Sequence, residues 1–348
     1  MQPLAFDLFC RVVDNFGDVG VAWRLAAALA DRGHRVRLWI DDASALAWMA
    51  PDGAPGVQVL PWQAAETAGP VGDVVVETFG CELPAAFVAH MARRPVAPVW
   101  INLEYLSAEP YVERCHGLPS PQSSGPGAGL RKWFFYPGFT NATGGLLHGG
   151  PMLVADAARA WAAAQGWGTV PGERAVLLFA YPRLDLPTLL QALAGQPTLL
   201  RLPPGALRDQ LQALPLPASL RTVALPHLPQ PDFDRLLAAS DLNIVRGEDS
   251  FVRAQLASDA PFLWHIYPQH DGAHGPKLQA FLDGYLAGAP PALAGAVRRA
   301  FAVLNGLADS PLVLPAAEDW AALHRAWRAR LRAQDDLPTQ LLRFVRAK

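Results

Sequence analysis

Short apolar runs and longer amphipathic runs take turns along the chain, and the alternation happens twice. "LAFDLFCRV", "HRVRLWIDD", "VQVLPW", "DVVVETF" and "APVWINLEYL" are short and apolar, which predicts strands. Between the first two, "GVAWRLAAALADRG" carries apolar residues at helical spacing and ends on Gly33, a good helix stop. Trp23 falls on the apolar face of that helix and is expected in the core. The alternation restarts near Arg174, where "RAVLLFAYP", "TLLRLP", "LRTVALPHL", "LNIVRG" and "APFLWHIYP" read as strands. "LPTLLQALAG", "PDFDRLLAASD" and "EDSFVRAQLASD" read as the helices between them. The final stretch from Asp319 reads as two helices broken near Pro338, with the basic run His324–Gln334 a solvated face. Strands separated by helices argue for parallel sheets covered by helices. The pattern predicts two doubly wound α/β domains, 1–168 and 169–334, with residues 335–348 completing the first. Such a pair places a cleft between the carboxyl ends of its strands, where these folds bind ligands.

Composition narrows the class. Apolar residues make up 51% of the 348 and charged residues 17%, which supplies two cores and argues against disorder. The formal charge of -2 gives no broad attraction to nucleic acid or to an anionic membrane. Cys10, Cys81 and Cys115 are far apart and form no CxxC pair, which fits a reducing compartment. There is no signal-peptide pattern and no apolar run of the ~18 residues a membrane span needs, so a cytoplasmic protein is expected. The Pro, Ser and Gly-rich stretch from Gly117 to Gly129 reads as a mobile surface loop. Trp133, Phe134, Phe135, Tyr136 and Phe139 follow it as an aromatic loop. They either pack beneath the mobile segment or receive a partner.

Two strand-to-helix junctions carry candidate chemistry. Arg246-Gly247-Glu248-Asp249-Ser250 follows an apolar strand and opens a helix. Free N–H groups at a helix start favour a phosphate, and Arg246 adds a cation. Equally, Glu248, Asp249 and Ser250 are ordinary residues for an N-cap and first turn. The other junction, Asp14-Asn15-Phe16-Gly17-Asp18-Val19-Gly20, carries two carboxylates. Those would repel a pyrophosphate, so this turn suits a general base or a cationic group. The simpler account is that Asn15 and Asp18 stabilise a turn and cap the following helix. His265, His270, His274 and Asp271 lie in "WHIYPQHDGAH", but the prolines and glycines around them argue against a helical zinc pair and for a loop at the cleft mouth. Tyr267 and Gln269 in that loop either touch a ligand or line its wall.

The run from Ser240 to Gln269 resembles the donor-nucleotide segment of glycosyltransferases with two facing Rossmann-like domains. Where many of those have a ribose-binding Glu inside the helix, this chain has Arg253. "DNFGDVGVAWRLAAALADRGHRVRLWIDD", "FFYPGFTNATGGLL", "LFAYP", "LPQPDFDRLL" and "RGEDSFVRAQLASDAPFLWHIYPQ", in that order, resemble the EarP family, the protein-arginine rhamnosyltransferases of elongation factor P. The resemblance implies a GT-B-type fold. It implies inverting transfer of L-rhamnose from dTDP-β-L-rhamnose to an arginine of elongation factor P, with no cofactor and no metal. It assigns Asp18 as general base with Asp14 nearby, Glu248 as a second essential carboxylate, and Asn15, Phe16, Gly17 and Asp18 to the sugar. Arg246, Gly247, Asp249 and Ser250 would hold the diphosphate, Phe179 and Tyr181 would pack on thymine or ribose, and Gln230 would contact the base. Two competing readings remain: a nucleotide-sugar transferase acting on a small molecule, and a binding protein that uses its cleft without chemistry.

Overall fold

The computed structural model describes residues 2–13, 16–150, 152–269 and 272–348. The chain forms two compact units, one of residues 1–149 with 334–348 and the other of residues 150–333.

The first unit is a parallel sheet wrapped by helices. Its chain order runs β1 (Ala5–Cys10), α1 (Phe16–Ala30), β2 (Arg35–Ile40), α2 (Leu46–Met49), β3 (Val57–Pro61), β4 (Val74–Thr78), α3 (Ala85–Ala92), β5 (Val99–Leu103), α4 (Pro110–Cys115), β6 (Pro119–Pro121) and β7 (Arg131–Phe135). The strands lie in the order β3-β2-β1-β4-β5-β7-β6, parallel except for β6 at the edge. Successive side chains of a strand point to opposite faces. Phe6, Leu8 and Cys10 of β1 therefore pack with Val19, Ala22, Leu25 and Leu29 of α1. Phe9 faces the other way, into a core with Trp39, Val75, Phe87 and Trp100. Trp23 is buried in the α1 core. Asp7, also fully buried, is neutralised by Arg37 at 2.6 Å and accepts from Trp39 Nε1 at 2.8 Å.

The second unit repeats the plan with α5 (Ala155–Ala164), β8 (Arg174–Leu178), α6 (Leu186–Leu193), β9 (Thr198–Leu202), α7 (Ala206–Gln212), β10 (Leu220–Ala224), α8 (Gln230–Ala238), β11 (Leu242–Arg246), α9 (Asp249–Ala257) and β12 (Phe262–His265). Its sheet order is β10-β9-β8-β11-β12, all parallel. Three further helices follow, α10 (His274–Tyr285), α11 (Pro291–Leu304) and α12 (Ala317–Arg332). The chain then returns to the first unit as α13 (Leu337–Arg346), whose Leu341, Leu342 and Val345 join the core around α1.

Several segments differ from the sequence reading. The division between units falls at Gly149, not 168, because α5 packs Ala158 and Ala162 against Ala238 and Ala239 at the end of α8. Arg159 adds an ion pair to Asp241 at 3.0 Å. The stretch expected to be a mobile loop contains β6 and a 3-10 turn, Gly125–Gly127, whose Gly127 is buried close against Val88. Trp133, Phe134 and Phe135 form a strand, with Phe135 fully buried and Trp133 edge-on to Phe344 of α13. Packing thus accounts for Trp133 and Phe135.

The terminal helix break precedes Pro338. Asp336 caps α13 by accepting from Thr339 N–H at 3.0 Å, and Pro338 sits in the first turn, where its missing N–H is harmless. The same four residues, Asp-Leu-Pro-Thr, open α6 with Asp185 as cap. The basic run on α12 is not simply solvated: His324, Trp327, Arg328 and Leu331 are buried. His274, Gly275 and Pro276 lie in the first turn of α10, so this part of the histidine loop is helical. His270 and Asp271 lie outside the described residues.

Candidate functional site

Both sheets carry a topological switch point, where consecutive crossovers leave in opposite directions. In the first unit it lies between β1 and β4, and in the second between β8 and β11. Asp18 follows β1, Phe179 and Tyr181 follow β8, and Arg246 ends β11.

In the second unit β8 runs out into Phe179, Ala180 and Tyr181, and its neighbour β11 ends at Arg246. The Arg246 guanidinium lies over both rings, 4.6 Å from the Phe179 centroid and 5.0 Å from that of Tyr181. A planar cation packs well on ring faces, through the ring quadrupole and by stacking. Gly247 then turns the chain with φ 62°, a left-handed conformation open to glycine. Its carbonyl accepts from Trp264 Nε1 at 3.1 Å, and Trp264 stacks on Phe251 of α9 at 3.9 Å. Helix α9 begins at once, with half-buried Glu248 at its N-cap position and Asp249 in its first turn. The Glu248 side chain makes no capping bond. The Ser250 hydroxyl turns back to the β11 end, donating to the Arg246 carbonyl and accepting from Arg246 N–H at 3.2 Å. Ser250 therefore fastens the turn rather than capping the helix.

Three other elements complete this region. Phe233, one turn into α8 from Gln230, packs edge-on to Phe179 at 5.6 Å. Gln230 is buried at the first position of that helix. Tyr267 is 58% exposed and meets Tyr181 edge-on at 5.3 Å. Gln269 is also exposed, and its N–H donates to His274 Nδ1 at 3.2 Å. Beside Phe179 and Arg246 a small, open pocket is lined by Pro203, Pro204 and Arg208 as well.

His265 lies beneath Tyr181 and accepts its N–H at Nδ1, 3.1 Å. Burial, aided by the nearby Arg246 charge, lowers its pKa to about 4. It is a neutral imidazole that fixes the Tyr181 backbone. His265 closes β12, as the strand reading of "APFLWHIYP" expected, so the loop reading of the histidine cluster does not hold for it. Its signal was the apolar run "APFLWH" that contains it. Arg253, the departure from the donor-segment pattern, is buried and paired with Asp234 of α8 at 3.1 Å. It ties α9 to α8.

In the first unit α1 begins at Phe16, so Phe16, Gly17, Asp18, Val19 and Gly20 are helical rather than part of a turn. Val19 is pulled into the core beside β1, which favours the early start. Phe16 is partly exposed and meets Trp48 edge-on at 5.1 Å, and Gly17 is half-buried. Asp18 is buried, and its Oδ2 accepts from Val13 N–H at 2.9 Å. A carboxylate in the first turn, reaching back to an N–H before the helix, suits both the helix dipole and the unsatisfied donors there. Asp14 and Asn15 lie outside the described residues. Together with burial, the Asp18 charge pushes the Cys10 thiol up. Among the described residues no group of three or more His, Cys, Asp or Glu is placed to hold a metal, and no helix is long and apolar enough to cross a membrane.

Two doubly wound units, one carrying a cation on an aromatic pair at the start of a helix, define a GT-B-type glycosyltransferase fold. The solved structure of the glycosyltransferase VinC in complex with dTDP has this fold, with a TM-score of 0.54 at 13% identity over 98% of each chain. Residues 6–346 match the model of the family described as Elongation-Factor P (EF-P) rhamnosyltransferase EarP. The chain is 45% identical to a protein-arginine rhamnosyltransferase of Pseudomonas putida KT2440 over 98% of both proteins. It is 31% identical, with a TM-score of 0.65 and 99% coverage of both chains, to a structure solved as the basis for EarP-mediated arginine glycosylation of translation elongation factor EF-P. The chain belongs to the EarP family, whose enzymes are protein-arginine rhamnosyltransferases.

Proposed function

We propose that this enzyme transfers L-rhamnose from dTDP-β-L-rhamnose to an arginine side chain of elongation factor P, with inversion at the anomeric carbon. The observation that carries the donor half is the convergence of Phe179, Tyr181, Arg246 and the start of α9 at one switch point. Aromatic rings suit a base or ribose, and a guanidinium beside a helix start suits a diphosphate. In this reading Arg246 and the N–H groups of residues 247–250 meet the charge on the leaving dTDP, and no metal is called for. Gln230 contacts the base, Tyr267 and Gln269 border the donor, and Glu248 is the second essential carboxylate.

The acceptor half rests on Asp18. A guanidinium has a pKa above about 12 and is a poor nucleophile at neutral pH. A carboxylate orients it through charge-assisted hydrogen bonds and takes its proton as the nitrogen–carbon bond forms. The anomeric carbon–oxygen bond breaks in the same displacement, and its electron pair leaves with dTDP. Asp14, Asn15, Phe16 and Gly17 border the sugar in this reading. The test is incubation with dTDP-L-rhamnose and purified elongation factor P, followed by intact mass. A rhamnose-sized gain on the partner is expected, while its absence favours a small-molecule acceptor.

A further inference from the structure

The turn that follows β4 has a backbone unlike any other described part of the chain. Among the described residues Phe79 (φ 58°) and Glu82 (φ 47°) are the non-glycine residues with positive φ, and Gly80 between them has φ 64°. Bulky L residues rarely adopt this conformation. The turn is fastened to both neighbouring strands. Phe79 N–H donates to the Leu103 carbonyl at 2.7 Å and Gly80 N–H to Asn102 Oδ1 at 3.1 Å. Thr78 Oγ1 and Cys81 Sγ donate to the Phe9 carbonyl at 2.8 and 3.4 Å.

The result of this turn is an aromatic pair. The Phe79 ring lies parallel to that of Tyr105, with centroids 4.3 Å apart and planes inclined by 14°. Tyr105 is 40% exposed, just past the end of β5. Glu104 beside it is half-buried and accepts from Asn102 Nδ2 at 2.7 Å. Burial and the nearby Glu77 charge raise its pKa, so its surroundings favour an added cation. The cation already at hand, Lys132, is held by Glu77 at 2.5 Å. Asp18 belongs to the same end of the sheet. Burial, with the nearby Asp18 charge, raises the Cys10 thiol at the end of β1.

We propose that the stacked Phe79–Tyr105 pair is the platform on which the acceptor arginine lies, which makes these two residues specificity-determining for the protein acceptor. A planar guanidinium packs on a ring face and bonds to carboxylates at its edge. The rings, Glu104 and Asp18 supply both kinds of contact at the carboxyl end of one sheet. The inference rests on the transfer to a protein arginine proposed above.

Its test is the steady-state rate with elongation factor P and dTDP-L-rhamnose varied separately. Tyr105→Ala raises KM for elongation factor P by about tenfold, the size of a lost cation–aromatic contact, while KM for the donor holds. Tyr105→Phe, which keeps the ring, restores the acceptor KM. Phe79→Gly, which adopts the left-handed backbone freely, raises it as well. An acceptor KM unmoved in both Tyr105→Ala and Phe79→Gly overturns the inference, as does a joint rise of acceptor and donor KM. In parallel, binding of elongation factor P without donor is titrated calorimetrically. Binding that weakens in Tyr105→Ala sustains the inference even if the unaltered chain transfers no sugar, an outcome that sinks the proposed function alone. No binding to the unaltered chain overturns both.

Discussion

β1 and β11 each flank the switch point of their own sheet, in two sheets wound the same way, yet the chemistry at their carboxyl ends is opposite. After β1 the first helical turn presents a buried carboxylate, Asp18. After β11 the strand ends on a guanidinium spread over two rings. The topology supplies a crevice twice, and the residues at each junction decide what it receives. A carboxylate there repels diphosphate and attracts a guanidinium, while Arg246 does the reverse. The buried groups differ as well. Glu77 and Glu104 of the first unit are carboxyls raised by burial, and the imidazoles it lowers to about 4 are His265 and His324 of the second, while His34 and His116 of the first are lowered as well.

The sharpest way to break this division is Asp18→Asn. The amide oxygen still accepts from Val13 N–H, so α1 keeps its start while the base is lost. Transfer by intact mass should fall by about 10²–10⁴-fold, with nucleotide affinity by calorimetry unchanged. Full activity in this variant would remove Asp18 from the mechanism. Arg246→Ala strikes the opposite junction. Nucleotide affinity should drop about 10–100-fold, the scale of a charged hydrogen bond, while the acceptor KM holds. Equal loss of both affinities would mean that the two junctions do not divide the substrates.

Acid separates the units more gently. The folded pKa of His265 and of His324 lies below the ordinary 6.5, so the unfolded chain binds more protons between about 4 and 6.5. Their stabilisation is complete above pH 6.5 and is lost as pH falls through that window. The raised carboxyls of Glu77 and Glu104 act in the other direction and favour the folded first unit on acidification. Hydrogen exchange at pH 7 and pH 5 should therefore show protection lost first in the second unit. Earlier loss in the first unit would reverse this assignment. The smallest effect is expected from Ser250→Ala. It leaves Arg246 N–H without its hydroxyl acceptor and should cost about 1 kcal/mol, read as a melting temperature lower by a few degrees.

Much of this was legible in short stretches. "LAFDLFC" and "RAVLL" announce strands by composition, and "RGEDS" and "DNFGD" stand out because charge sits where a strand gives way to a helix. Other features were not legible. "KWFF" looked like a loop because a Pro, Ser and Gly-rich stretch precedes it, but pairing with β5 and packing on Phe344 make it a strand. Phe16–Gly20 looked like a turn because of its two glycines, but burial of Val19 extends the helix through them. Phe79 gave no local sign of its left-handed backbone, which hydrogen bonds to β1 and β5 impose.

The sequence by itself determined the alternation of strands and helices and the sign of the charge at each junction, since both are properties of neighbouring residues. Only the tertiary structure decided which rings meet which charges. Phe179 and Arg246 are far apart along the chain and meet because β8 and β11 pair. His265 became a neutral acceptor because strands and helices buried it. Burial and pairing depend on contacts between distant segments, and no short stretch of sequence carries that information.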